Sequence, residues 1–182
     1  MRRIDVLPIG FVEETVLAYV ARALAGAFRV RREIRPGLRL GEDSYDPRRL
    51  QHNATALLER LARERSAGAD RVLGVTEADL YAAGLNFVFG QADVRSGAAV
   101  ISLARLRPEF YGEPHEEGLF RLRALKEAVH EVGHTLGLGH CKSPRCVMHF
   151  SNSLADTDRK GEGFCPRCRK EAALPVESPR GE

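Results

Sequence analysis

The sequence predicts an α/β (α+β) fold: a mixed, mostly parallel, twisted sheet backed by helices, followed by a small irregular C-terminal lobe. Three observations predict it. Strand-period and helix-period segments alternate over the first 136 residues. The last quarter of the chain keeps neither period but carries all four cysteines. No stretch approaches the roughly twenty consecutive apolar residues of a transmembrane helix.

Residues 2–9 read as a first strand, with Ile4, Val6, Leu7 and Ile9 as apolar positions. Val12, Val16, Tyr19, Val20, Ala23, Leu24 and Ala27 then follow helical spacing. A second strand fits 28–34, ended by Pro36-Gly37. Asp46-Pro47 reads as an N-cap with proline at the first helical position, opening a helix that carries Leu50, Ala54, Leu57, Leu58 and Leu61 on one face. A third strand fits 70–76, and Asp79 is placed to cap a short turn. Two further strands fit 86–90 and 98–103. A helix over about 117–136 turns Leu119, Leu122, Leu125, Val129 and Val132 to the core. Beyond 136 the expectation is loops, metal ligation and at most one short helix, with a frayed tail over 174–182 that holds Pro175 and Pro179.

Residues 130–141, HEVGHTLGLGHC, carry the chemistry. Positions i and i+4 of a helix share a face, so His130 and His134 can aim two imidazoles at one metal. Gly137 tolerates positive φ and can end the helix sharply, returning His140 as a third ligand. Three protein ligands leave a fourth position for water, the mark of a catalytic zinc. Glu131 projects about 100° round the helix from His130. It is placed to reach a water beside the metal and act as general base, then general acid. A metal-free pair of core histidines is the alternative, and it leaves the glutamate between them unexplained. Met148, eight residues after His140, is either core filler or the residue of a turn beneath the metal.

The cysteines are Cys141, Cys146, Cys165 and Cys168, spaced C-x4-C, eighteen residues, C-x2-C. Two close pairs separated by a loop suit a tetrahedral four-cysteine zinc site, which would stabilise the C-terminal lobe. Gly163 and Pro166 suit the turns. The alternatives are two disulfides or four reduced thiols. Disulfides require an oxidising compartment, whereas MRRIDVLPIG reads as a first strand and not as an export signal, so a cytoplasmic location is expected. Two zincs per chain follow, one catalytic and one structural. Because Cys141 adjoins His140, the structural site is expected to anchor the third catalytic ligand.

HEVGHTLGLGHC, then C-x4-C-V-M, then C-x2-C together resemble the archaemetzincins, a metzincin family with a second, four-cysteine zinc site. VLGVTEADL and LNFVFG extend the resemblance upstream. It implies a metzincin-like fold and a peptidase that hydrolyses peptide bonds, a zinc-activated water attacking the carbonyl with Glu131 as base. It implies that His130, His134 and His140 bind the catalytic zinc, that Cys141, Cys146, Cys165 and Cys168 bind the second, and that Met148 is the Met-turn residue. No tyrosine follows Met148 within the turn, so a tyrosine ligand there is not expected.

At 182 residues and 43% hydrophobic content, the chain is one domain. Residues 1–137 would form an N-terminal lobe with the sheet and active-site helix. Residues 138–182 would form a C-terminal lobe with the third histidine, the Met turn and the cysteine site. A net charge of +3, dispersed along the chain, argues for a solvated surface and against a nucleic-acid face or membrane partner. The expected partner is a peptide or protein substrate, bound as an added strand along 85–92, with a monomer favoured. Capture of a free α-amine would need an acidic group near the metal, for which Glu113, Glu116 and Glu117 are candidates. His149 is placed to line the cleft, while His52 and His115 read as ordinary. A non-catalytic or latent zinc scaffold is the competing class, and the intact Glu131 argues against it.

Overall fold

The computed structural model of the chain describes residues 1–174. Strands β1 (Arg3–Ile9), β2 (Arg31–Ile34), β5 (Arg71–Thr76), β7 (Gly90–Asp93) and β8 (Ala98–Ser102) form one sheet in the order β2-β1-β5-β8-β7. All pairs are parallel except β7, which runs antiparallel to β8 at the edge. Helices α1 (Glu14–Phe28) and α3 (Glu117–Thr135) cover one face and α2 (Ala54–Glu64) the other. Side chains alternate across a strand. Ile4, Val6, Leu73, Val75, Ala99 and Ile101 therefore pack with α1 and α3. Leu7, Ile9, Val72, Ala98 and Val100 pack with Leu57, Leu58 and Leu61 of α2. Strands buried on both faces need near-continuous apolar runs, which is how β1, β5 and β8 read.

Several boundaries differ from expectation, each for a local reason. The second strand starts at Arg31, not 28, because α1 runs to Phe28, whose ring meets Phe164 edge-on at 5.4 Å, and Arg29 ends it at φ 52. Asp46-Pro47 does not open a helix. The Asp46 carboxylate instead accepts from Arg48 N and Arg49 N at 2.9 and 3.3 Å, closing a turn that leaves Leu50 exposed at φ 55. Helix α2 begins eight residues later, capped by Asn53, whose side chain accepts from Ala56 N at 3.2 Å. Asp79 caps no turn. It holds Arg105 through two bonds of 2.7 and 2.8 Å and accepts from Gln51 Nε2 at 2.9 Å.

The strand expected at 86–90 lies at Gly90–Asp93. The preceding carbonyls are taken by side chains: Gln51 Nε2 donates to Asn86 O at 3.1 Å and Arg49 Nη1 to Leu85 O at 3.2 Å. A small sheet of β3 (Tyr45–Asp46), β4 (Gln51–Asn53) and β6 (Leu80–Tyr81) was not expected, since its strands are too short to show a period. Among the described residues two short helices follow residue 136, where at most one was expected: α4 (Leu154–Arg159), with a Ser153/Asp156 capping box, and α5 (Pro166–Glu171), with proline in its first turn. The tail beyond Leu174, with Pro175 and Pro179, lies outside the described residues.

Helix α3 buries Val129 and Val132 as expected, but its earlier turns are rotated from the expected face. Phe120, Ala124, Ala128, Val129 and Val132 are buried, while Leu119, Leu122 and Leu125 are half-buried. The helix is enclosed on both sides, by the sheet and by the C-terminal segment, so Arg123, Lys126 and Glu127 are buried too and are paired. Arg123 makes two bonds of 2.7 Å to the Asp158 carboxylate. Lys126 Nζ donates to Thr157 O and Asp158 O at 3.0 and 2.9 Å. Lys160 Nζ lies 2.9 Å from Glu127 Oε1, with both side chains almost fully buried.

Candidate active site and metal centres

His130 and His134 lie one turn apart in the last turns of α3. Gly137, at φ 85, turns the chain back and brings His140 against them. The three rings gather with centroids 4.5 to 5.4 Å apart, and their ligand nitrogens lie within 4.8 Å of one another. Carbonyl oxygens only accept. His130 Nδ1 therefore donates to Val147 O at 2.8 Å, and His134 Nδ1 to Leu138 O at 2.7 Å. Each ring is left with a bare Nε2 lone pair, and the two Nε2 atoms face each other at 3.0 Å. Burial lowers the pKa of all three histidines, which keeps them neutral. Converging, unprotonated imidazole nitrogens fit a zinc ion.

Glu131 is buried beside them against β7. A Cβ at Gly90 would come 2.5 Å from Glu131 Cγ and 2.8 Å from Val100 O, so only glycine lets the glutamate lie against the sheet edge. Burial first, and the neighbouring Glu127 second, push the Glu131 carboxyl up to about 8. A cation in front of it would favour the carboxylate. Glu127, Glu131 and the three histidines line an open cleft of about 660 Å³, whose other wall is the segment 82–92.

Met148 is fully buried beneath α3. A Cβ at Gly133 would meet its Sδ at 2.5 Å, so the glycine inside His-Glu-Val-Gly-His makes room for the methionine. Cys141 N donates to Met148 O at 2.8 Å, which ties the residue after His140 to this turn.

The four cysteine Sγ atoms also lie within 4.8 Å of one another. No disulfide joins them. Cys141 Sγ and Cys165 Sγ are 3.8 Å apart, well beyond a bond of about 2.05 Å. Cys165 N points at Cys146 Sγ at 3.3 Å and Ser143 N at Cys141 Sγ at 3.5 Å. A hydrogen bond from Cys168 N leads in lowering the Cys165 thiol to about 7, whereas burial raises Cys146 and Cys168. Together the four can all ionise only around a cation.

His149 does not line the cleft as expected. Its Nδ1 donates to Cys141 O at 2.9 Å, and the cleft is lined instead by Phe150, Ser151 and Asn152. Phe150 leans on the His140 ring at 4.8 Å between centroids. Glu113, Glu116 and Glu117 do not line the cleft either. Glu127, Lys160, Gly90, Gly133 and Phe150 escaped the sequence reading. Only Glu127 carried a signal there, since it sits one turn before Glu131 on the same helix face.

Attack on a peptide carbonyl is the chemistry that three converging imidazoles and a buried glutamate beside an open sheet edge suit, and the class so defined is the zinc metallopeptidases. Peptidase family M54 matches residues 10–173. An archaemetzincin of Methanocaldococcus jannaschii is 46% identical over 169 residues, covering 93% of this chain and 92% of its own. One from Thermococcus kodakarensis is 43% identical over 183 residues, covering 97% and 98%. Among solved structures, a zinc-dependent peptidase from Methanocorpusculum labreanum superposes with a TM-score of 0.85 at 30% identity, covering 93% of this chain and 99% of that one. The archaemetzincin of Archaeoglobus fulgidus, solved with malonate, gives 0.80 at 37% identity over 93% of this chain and 99% of that one. The chain belongs to peptidase family M54, the archaemetzincins, and is a zinc metallopeptidase acting on peptide or protein substrates.

Proposed function

We propose that His130, His134 and His140 hold the catalytic zinc and that Glu131 is the general base and acid of peptide-bond hydrolysis. The observation that carries this is the pair of Nε2 atoms facing each other at 3.0 Å, with both Nδ1 atoms committed to carbonyls. Zinc bound there supplies a Lewis acid and lowers the pKa of water from about 15.7 to about 7. The Glu131 carboxylate takes a proton from the attacking water and returns it to the leaving amine. Its burial excludes competing water, and Gly90 lets it reach the sheet edge. The unpaired edge of β7 holds an extended substrate by main-chain bonds. Met148 forms the floor under α3, by analogy of position with a Met turn.

Cys141, Cys146, Cys165 and Cys168 hold a second, structural zinc, giving two per chain. The adjacent residues His140 and Cys141 join the two centres. Residues 1–137 and 138–182 act as lobes of one domain, with the C-terminal one organised by the cysteine site. No helix among the described residues is long and apolar enough to cross a membrane. Unbridged thiols support a reducing, cytoplasmic setting. A mild, dispersed net charge argues against a nucleic-acid face, and a monomer is proposed without a structural observation behind it. The test is a peptide-library assay on zinc-loaded protein beside Glu131→Ala. Cleavage by wild type that falls by at least about a hundredfold in the variant is expected. Equal rates would remove Glu131 from the reaction.

A further inference from the structure

The edge strand beside Glu131 has two faces, and only one belongs to the catalytic cleft. Ser102 N donates to Phe89 O at 2.8 Å, which makes Phe89 and Ser102 a hydrogen-bonded antiparallel pair. Bonded and non-bonded pairs alternate along such a ladder. With Gly90 opposite Ile101, Gln91 opposite Val100 and Ala92 opposite Ala99, the main-chain groups of Gly90 and Ala92 therefore point to the free edge. A peptide paired with them turns alternate side chains to opposite faces of the sheet. One set enters the cleft with Glu131. The other set faces α2.

Thr55, Glu59 and Arg63 recur every fourth residue along α2 and so form one stripe. With Gln91 and Asp93 they line a second groove of about 560 Å³. Gln91 and Ala92 line both this groove and the catalytic cleft, so the two spaces meet across the strand. The order of the stripe follows from the topology. Gln91 Nε2 donates to Thr55 Oγ1 at 3.1 Å, fixing the start of α2 near the Glu131 end of β7. The other end of α2 leads into the start of β5, which pairs with the start of β8, opposite Asp93. Moving away from Glu131, a peptide thus passes Thr55, then Glu59, then Arg63.

The first charge met is negative, and Asp93 lies farther along, at the Arg63 end of the stripe. Glu59 is exposed and makes no ion pair within 4.0 Å among the described residues. Asp93 lies on the same face, its carboxylate accepting from Arg95 N and Ser96 N at 3.2 and 3.0 Å, which keeps it ionised. We propose that Glu59, with Asp93, forms a subsite for a basic side chain of the peptide substrate, on the strand face opposite the one that enters the catalytic cleft. This rests on the reading that substrate lies along β7.

The test uses fluorogenic peptides carrying Lys, Glu or Ala, one position at a time, over the five residues on each side of the cleaved bond. An exposed ion pair contributes about 0.2–1 kcal/mol. Zinc-loaded wild type is expected to favour Lys over Glu in kcat/KM by about 1.4- to fivefold, at one position or two positions apart. Glu59→Lys should reverse that ratio, while Glu64→Lys, elsewhere on α2, should keep it. A ratio unchanged in Glu59→Lys, or shifted equally by both substitutions, overturns the subsite. If no peptide is cleaved, the proposed catalysis fails, and the subsite is then read by fluorescence anisotropy of the labelled peptides on zinc-loaded Glu131→Ala. There the same reversal supports it and its absence overturns it.

Discussion

Replacing Lys160 with Met probes the contact that joins the C-terminal segment to helix α3. Lys160 is fully buried and its Nζ lies 2.9 Å from Glu127 Oε1, which is 3% exposed at the side chain. Thr157 Oγ1 donates to the same oxygen at 3.0 Å but cannot neutralise it. Methionine nearly matches the lysine stem in volume, so the cavity contribution is small. The loss is then that of stranding a buried carboxylate, about 3–5 kcal/mol. For a chain of this length it lowers Tm by roughly 6–20 °C, at about 2–4 °C per kcal/mol. The second half of the experiment is Lys160→Met with Glu127→Leu. Removing both charges leaves no uncompensated group, and replacing a buried pair by apolar residues is often neutral or better. The double variant should recover most of the loss. Melts at one fixed free-zinc concentration supply the assay, since bound metal raises apparent stability. A loss under about 1 kcal/mol in the single variant, or a double variant less stable than the single, would refute the reasoning.

Three further outcomes are expected. Gly90→Ala places a carbon 2.5 Å from Glu131 Cγ, so kcat should drop by about a hundredfold while zinc content stays at the wild-type level; unchanged kcat would show that the glutamate has room to move. Cys165→Ser with Cys168→Ser should weaken retention of the catalytic metal as well as remove the second, because Cys141 N is bonded to Met148 O directly after His140; chelator competition that leaves catalytic-site affinity unaltered would uncouple the two. In zinc-stripped protein the Glu131 carboxyl, raised to about 8 from an ordinary 4.5, keeps a proton that the unfolded chain has released. The folded state then binds more protons, so stability should fall as pH rises between those values, and Glu131→Gln should flatten that slope in denaturant titrations.

The three-histidine and four-cysteine clusters were more legible in the sequence than the sheet was. His130, His134 and His140 depend on helical geometry and one glycine turn, both local, and the paired cysteines depend on spacing. Strands β1, β5 and β8 were legible because burial on both faces demands continuous apolar runs. The position of β7 was not, since side chains distant in sequence, Arg49 and Gln51, occupy the carbonyls just before it. Asp46-Pro47 carried a sound helix-start signal, but the carboxylate served a turn. The face of the earlier turns of α3 was misread because Arg123, Lys126 and Glu127 look like a solvated stripe until Asp158 and Lys160 cover them. Gly90 and Gly133 could not be assigned from sequence, as each accommodates a residue brought close only by the fold.

The central claim is that one chain holds two zinc ions, in a three-histidine and a four-cysteine centre. Elemental mass spectrometry of tag-free protein measures it directly, on wild type, on His134→Ala and on Cys168→Ser. Two zincs per wild-type chain are expected, with the cysteine-bound ion retained in His134→Ala and lost in Cys168→Ser. A wild-type chain with one zinc or none, after growth with added metal and purification without chelator, would contradict the account.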